Sequence, residues 1–210
     1  MKTSKSIYIA IALLSTVSFG CSDDEDAGSY PPVRTELVEA LTGGDKNVTE
    51  VRLDDGTVYP VSQSISTNTA DTAYRCVCSY TYDEEKRKLS VYTLSGIPSS
   101  RPIVTDSLPP EQSNDFRLIS SWITERYVNA YLSYQTTSQG THRFYFVEDS
   151  ISKTSDGKRV AHVRLYHESP PDDPGSYSQK QYISLPSYFY HGKVDTVRLE
   201  IGGKTITALP

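Results

Sequence analysis

Few side chains in this sequence have the type and spacing that chemistry needs. Four histidines, His142, His162, His167 and His191, are available to bind a metal or move a proton. His162 and His167 stand five apart in a segment of strand character, so they face opposite ways and cannot share an ion. No His-x-His pair and no Cys/His cluster has ligand spacing. Serine is abundant, yet no Gly-x-Ser-x-Gly turn presents one as a nucleophile. Gly43-Gly44 and Gly202-Gly203 read as turns, and neither opens a helix that would hold phosphate. Asp156, Asp172 and Asp173 read as solvated loop residues rather than calcium ligands. The sequence therefore predicts no catalytic group, no metal site and no cofactor, and a protein that acts by binding.

Cys76 and Cys78 stand two apart in a β segment, so both point to one face and are poorly placed to bond each other. A redox pair would be spaced Cys-x-x-Cys. Small, mildly apolar core residues is the better account. Sixteen tyrosines accompany a single tryptophan, which raises the question of exposed stacking faces. Tyr188, Phe189 and Tyr190 follow Pro186 in a loop-like stretch and are the candidate ligand contact. Tyr127 with Tyr131, and Tyr80 with Tyr82, are further pairs. Tyrosine is also a good strand residue that packs on a half-buried sheet, and this alternative stays open.

Cys21 has a different setting. Lys2 and Lys5 precede an apolar run from Ile7 to Leu14, then small residues, then Gly20-Cys21. That run is too short to span a bilayer and fits a secretory signal peptide, 1–20. Gly20-Cys21 resembles the bacterial lipobox, with Ser18 and Phe19 departing from the usual residues, so Cys21 is the expected lipidation site. Asp23-Asp24-Glu25-Asp26 follows within a segment, 21–32, that reads as a solvated tether. It resembles the acidic export signal of some surface lipoproteins. The expected location is the outer membrane, lipid-anchored and exposed at the cell surface, with the membrane reached through lipid alone. The net charge of −5 comes with no basic cluster, which argues against nucleic acid as a partner.

Nearly every later segment reads as strand, giving an all-β chain. Arg34–Thr42 is a first strand, although 36–41 would equally suit a short helix. Segments 48–53 and 57–61 flank Asp54-Asp55-Gly56, a strong hairpin signal. Segments 74–82 and 89–95 complete a small OB-like barrel domain over 33–98. Prolines 98, 102, 109 and 110 with several serines mark a linker, 99–113, within which Ile103-Val104 could add an edge strand. Segments 116–123, 127–135, 144–147, 160–166, 182–185, 194–201 and 204–208 then predict an immunoglobulin-like β-sandwich over 114–210.

The acidic tether, the Val51-Arg52-Leu53-Asp54-Asp55-Gly56-Thr57 hairpin, Asn114-Asp115, Trp122-Ile123 and the strand from Tyr127 to Tyr134 together resemble the NigD-like lipoproteins of anaerobic Gram-negative bacteria. The resemblance covers nearly the whole mature chain and implies an N-terminal OB-type domain followed by a C-terminal β-sandwich. Its motifs are architectural, so it assigns no catalytic residue. It implies an envelope lipoprotein that binds a glycan, peptide or protein outside the membrane, with a bacteriocin-immunity role as the alternative. Four Asp-Ser/Thr-aliphatic triplets also resemble the O-glycosylation site of some gut-type bacteria, at Thr72, Ser107, Ser150 and Thr196.

Overall fold

Segments that alternate apolar with polar residues, and are rich in β-branched and aromatic types, form thirteen strands in the computed structural model, which describes residues 32–104, 116–137, 141–170 and 175–210. The expected signal peptide, Cys21, nearly all of the tether, Ser107, Asp172 and Asp173 lie outside these residues.

The first five strands are β1 (Arg34–Thr42), β2 (Val48–Arg52), β3 (Val58–Pro60), β4 (Ala73–Asp83) and β5 (Lys88–Gly96). They make one sheet in the order β3-β2-β1-β4-β5, every neighbouring pair antiparallel. Segment 36–41 is strand, with Val38 and Ala40 turned inward and fully buried. Cys76, Cys78 and Tyr80 alternate along β4 onto the same inner face and pack with Val51, Leu89 and Val91. Both thiols are free. Burial pushes Cys76 up to about 11 and Cys78 to about 12, so these are packing groups and not nucleophiles.

The sheet curls until its outer strands meet. Val61 pairs parallel with Leu89, and the Ser62 N–H donates to the Leu89 carbonyl at 2.9 Å. Past that point the Gln63 side-chain amide does what backbone would do: it accepts from the Val91 N–H and donates to the Val91 carbonyl. Bulges at Leu41/Thr42 and Ser79/Tyr80 add the local twist that such curling needs.

The remaining strands are β6 (Ile103–Val104), β7 (Phe116–Ile123), β8 (Tyr127–Thr136), β9 (Arg143–Lys153), β10 (Arg159–Glu168), β11 (Tyr177–Pro186), β12 (Thr196–Ile201) and β13 (Lys204–Ala208). They form a sheet β13-β12-β10-β9-β6 and a three-stranded sheet β11-β8-β7. Val128, Ala130, Leu132, Ile183 and Leu185 of the smaller sheet share one core with Phe146, Val163, Leu165 and Leu199 of the larger. Truncating one of the leucines to alanine would cost about 2–5 kcal/mol. Strands β10 and β12 pair in parallel because the chain leaves for β11 in the other sheet and returns. Gly202 and Gly203, with φ of 54° and 72°, then close the β12–β13 hairpin in the mirror-image turn that only glycine-like residues take easily.

Two strands run longer than their apolar stretches. β9 extends past 144–147 to Lys153, and β11 begins five residues before Tyr182. These polar extensions are mostly exposed and are held by the ladder itself, as in Ser152 opposite Val160 and Gln179 opposite Tyr134. The stretch after Gly96 is tied at both ends. Ile97 donates to the Arg75 carbonyl at 2.9 Å, Pro98 accepts from Ser184 at 3.0 Å, and β6 pairs with β9 at Val147 and Glu148. Pro31–Pro210 form one compact unit, in which buried apolar side chains fall into two separate clusters.

Candidate functional site

Between the two apolar clusters lies a layer of buried polar side chains. Glu39 sits between Val38 and Ala40 on β1, so it points away from the first core, toward what would be water on an isolated sheet. It is only 2% exposed, because β8 and the turn before it cover that face. Its carboxylate receives Arg52 from the neighbouring strand, Arg126 at 3.2 Å and the Tyr127 hydroxyl. Burial alone would push the Glu39 carboxyl up; the Tyr127 hydrogen bond, Arg126 and Arg52 together outweigh it and hold the group below its ordinary value. Tyr127 is displaced upward, first by burial and then by its bond to Glu39.

Arg75 stands opposite Glu39 in the β1–β4 register and shares that outward face. Its side chain is 1% exposed, and every nitrogen is used. Nη1 and Nη2 donate to the two Asp54 oxygens at 2.6 and 2.8 Å, Nε to Ser184 at 3.3 Å, and Nη2 also to Asn129 at 3.1 Å. The guanidinium lies 4.0 Å over the Tyr127 ring. Ser184 donates to Asn129 at 2.6 Å, which leaves the buried Asn129 Nδ2 as an amide donor without a partner. A planar fork with five donors can satisfy such a set; an ammonium cannot. Asp54 is delivered by the hairpin after β2, where Gly56 takes φ of 84° and Asp55 accepts from the Thr57 N–H at 2.8 Å.

A cleft of about 400 Å³ opens beside this layer, between the outward faces of β1 and β4 and the three-stranded sheet. Thr35, Glu36, Asp54, Trp122, Thr124 and Tyr182 line it. Glu36 only borders it: this side chain shares the parity of Val38 and Ala40 and turns to the inner face of β1, where it accepts the hydroxyl of Tyr80. Trp122 meets Tyr182 edge-on at 6.1 Å, and Tyr182 stacks on Tyr131 at 4.4 Å and 22°. The strand register explains this grouping: Trp122 pairs with Asn129, and Tyr131 with Tyr182, across one outer sheet face. The result is an aromatic wall with the fixed Asp54 carboxylate opposite.

The aromatic run expected to form a contact loop is placed differently. Ser187–Tyr190 is a 3-10 turn, and Tyr190 is buried at 4% exposure with its hydroxyl on Glu148. Tyr190 is therefore a core residue and not a surface contact, since the turn directs it into the sandwich. Tyr188 and Phe189 remain half-buried. Tyr188 meets the Tyr127 ring at 5.8 Å and lies 4.2 Å under the Arg126 guanidinium, so it braces the Glu39 cluster. Tyr80 is buried in the first core, while Tyr82 tilts against Tyr59. Of the candidate glycosylation positions, Ser150 is exposed on β9, and Thr72 and Thr196 are half-buried.

His142 and His167 are brought together at 2.9 Å between Nδ1 and Nε2, with stacked rings, a pairing the linear spacing did not suggest. His162 faces Ser152 at 2.9 Å. Among the described residues no group of three or more His, Cys, Asp or Glu side chains is placed to hold a metal ion. The sequence reading missed Glu39, Asp54 and Arg75, and used Trp122 only as a mark of resemblance. The signal available for Trp122 was its position as the lone tryptophan on an edge strand.

No protein-family model and no curated protein matches this chain. Solved structures do. The chain is similar to a NigD-like immunity protein from Bacteroides caccae, with TM-score 0.62 and 22% identity over 85% of this chain and 93% of that one. It is also similar to a protein of unknown function from Bacteroides vulgatus, with TM-score 0.63 and 14% identity over 85% and 90%. A third likeness, to a protein from Bacteroides fragilis described as a candidate lipoprotein, has TM-score 0.54 and 14% identity over 85% and 96%. At these identities the likeness is one of fold, and at that level the NigD-like resemblance read from the sequence holds.

Proposed function

We propose that this chain is a NigD-like lipoprotein of the cell envelope, anchored through lipid on Cys21, that works by binding a partner at the junction of its two β halves. The N-terminal signal and the acidic tether support the anchor and an outer-membrane, surface-facing address. The strand order of the first sheet, with its parallel seam between β3 and β5, supports reading it as an OB-type barrel. The two sheets sharing one core support a sandwich for the second half.

The observation that carries the binding reading is the buried layer beneath the cleft. Charged groups are costly to bury, and the two satisfied sets, Glu39 with Arg52 and Arg126 and Arg75 with Asp54, lock the facing walls in place. A rigid cleft with a pre-positioned carboxylate and aromatic rings needs little ordering when a ligand enters. The likeness to an immunity protein favours a second reading, in which the bound partner is a toxin.

Two measurements test the proposal. Cys21→Ala should move the protein from the membrane fraction to the soluble fraction; retention after a high-salt wash would remove the anchor reading. Cross-linking on intact cells should capture a partner with the wild-type chain and lose it with Trp122→Ala. Equal capture by both chains would move binding away from the junction. Survival of toxin-challenged cells that depends on the chain would select the protective reading.

A further inference from the structure

We propose that the cleft between β1 and the three-stranded sheet takes a neutral sugar, with Trp122 and Tyr182 as the stacking wall and Asp54 as a hydroxyl acceptor. This inference deepens the binding reading and rests on it. The chemistry follows from what lines the cleft. Aromatic rings offer apolar faces to the C–H side of a pyranose, at little entropic cost because such side chains have few rotatable bonds. Carboxylate oxygens accept from sugar hydroxyls in strong, charge-assisted bonds. Thr35 and Thr124 add hydroxyls that donate or accept. The volume, about 400 Å³, lies in the usual range for small-molecule sites.

Charge narrows the class. Among the described residues no lysine or arginine lines the cleft, so a phosphate, sulfate or uronate would enter without a free counter-ion, beside the Asp54 carboxylate. A cation is also poorly matched. Asp54 already spends its charge on the two-pronged bond from Arg75. Glu36 turns the other way, to the inner face of β1, where it accepts the Tyr80 hydroxyl. The Asp54 carboxylate is therefore the one that faces the cleft, oriented and compensated from behind. Its remaining lone pairs suit acceptor chemistry, which a polyol satisfies and an ammonium group does not need.

Trp122 is the only tryptophan in the chain, so its fluorescence reports on this cleft directly. The full-length protein, in a detergent without a sugar headgroup, would be titrated with neutral hexasaccharides of the glucan, xylan, mannan and galactan series. Oligogalacturonate and oligolysine serve as charged probes, and ligand-observed NMR detects binding that leaves the emission unchanged. The expected result is saturable binding of at least one neutral glycan, weakened about tenfold or more by Tyr182→Ala through loss of the stacking face. Tyr182→Phe keeps the ring and should retain binding within about threefold, which separates stacking from misfolding. Glu36→Gln, whose side chain faces the first core, should bind neutral glycan as the wild type does. Oligolysine binding with no binding of any neutral glycan would overturn the sugar assignment while leaving a binding cleft. Failure of every probe would overturn it too, yet a partner captured on intact cells through Trp122 would keep the broader reading intact.

Discussion

Tyr127 donates its hydroxyl to the carboxylate of Glu39, so a strand of the second half helps keep a buried acid of the first half ionised. The pair joins residues 88 positions apart. Tyr127→Phe removes the donor and leaves the ring in place over Arg75. A hydrogen bond to a charged group contributes about 1.5–3 kcal/mol, so the variant should lose roughly that much stability. Urea unfolding would show it as a lower midpoint at unchanged slope. An unchanged midpoint would mean that Arg52 and Arg126 alone hold the carboxylate.

Acid should act on the same group. The folded-state value of Glu39 lies below the ordinary 4.5 that the unfolded chain shows, so the unfolded state takes up the proton more readily. The stability contributed by ionised Glu39 is thus fully present above that unfolded value, and is lost as pH falls through the lower folded one. Asp55, held by the Thr57 N–H, and Asp83, held by the Lys86 N–H, shift in the same direction but on the exposed surface, where solvent screens them. Urea midpoints measured across the acid range should therefore fall less steeply in Glu39→Gln than in the wild type. Parallel curves would assign the acid limb to the surface carboxylates.

Much of the fold is legible in the sequence because each half has one clear inner face. The alternation of Cys76, Cys78 and Tyr80 announced β4 and its core side, and Gly202-Gly203 announced the last hairpin. What alternation cannot announce is a second burial. Glu39, Arg75, Tyr127 and Asn129 all occupy outward positions that read as solvated, and all are buried because another sheet covers them. That cover is set by contacts between segments 54 to 109 residues apart, such as Arg75 to Asn129 and to Ser184. The aromatic run at 188–190 misled for a related reason: a short turn after Pro186 looks the same in sequence whether its last ring faces water or the core.

The buried thiols should be silent in the native protein. Cys76 and Cys78 are 3% and 0% exposed, and burial holds both in the thiol form at neutral pH. In a Cys21→Ser background, iodoacetamide should label neither cysteine without denaturant and both in concentrated urea, as read by mass spectrometry. Native labelling at Cys76 or Cys78 would mean that the first sheet opens locally and does not stay closed along the Leu89 seam.

The strictest test of the junction is Arg75→Lys, which keeps the charge and changes only its shape. Arg75 donates to Asp54 through two parallel bonds, to Ser184 and to Asn129, while its flat face covers Tyr127. A lysine ammonium is a compact point charge that cannot span these acceptors in one plane or stack over a ring in the same way. Asp54 would lose its two-pronged bond and the buried Asn129 oxygen one of its donors. Breaking a buried charged pair costs about 3–5 kcal/mol, and a lysine that finds some of the partners should lose somewhat less. The variant should unfold at distinctly lower urea. Because Asp54 lines the cleft, Trp122 emission should also shift in the folded variant before any ligand is added. Wild-type stability together with unchanged Trp122 emission would show that the guanidinium fork neither ties the two halves together nor shapes the cleft.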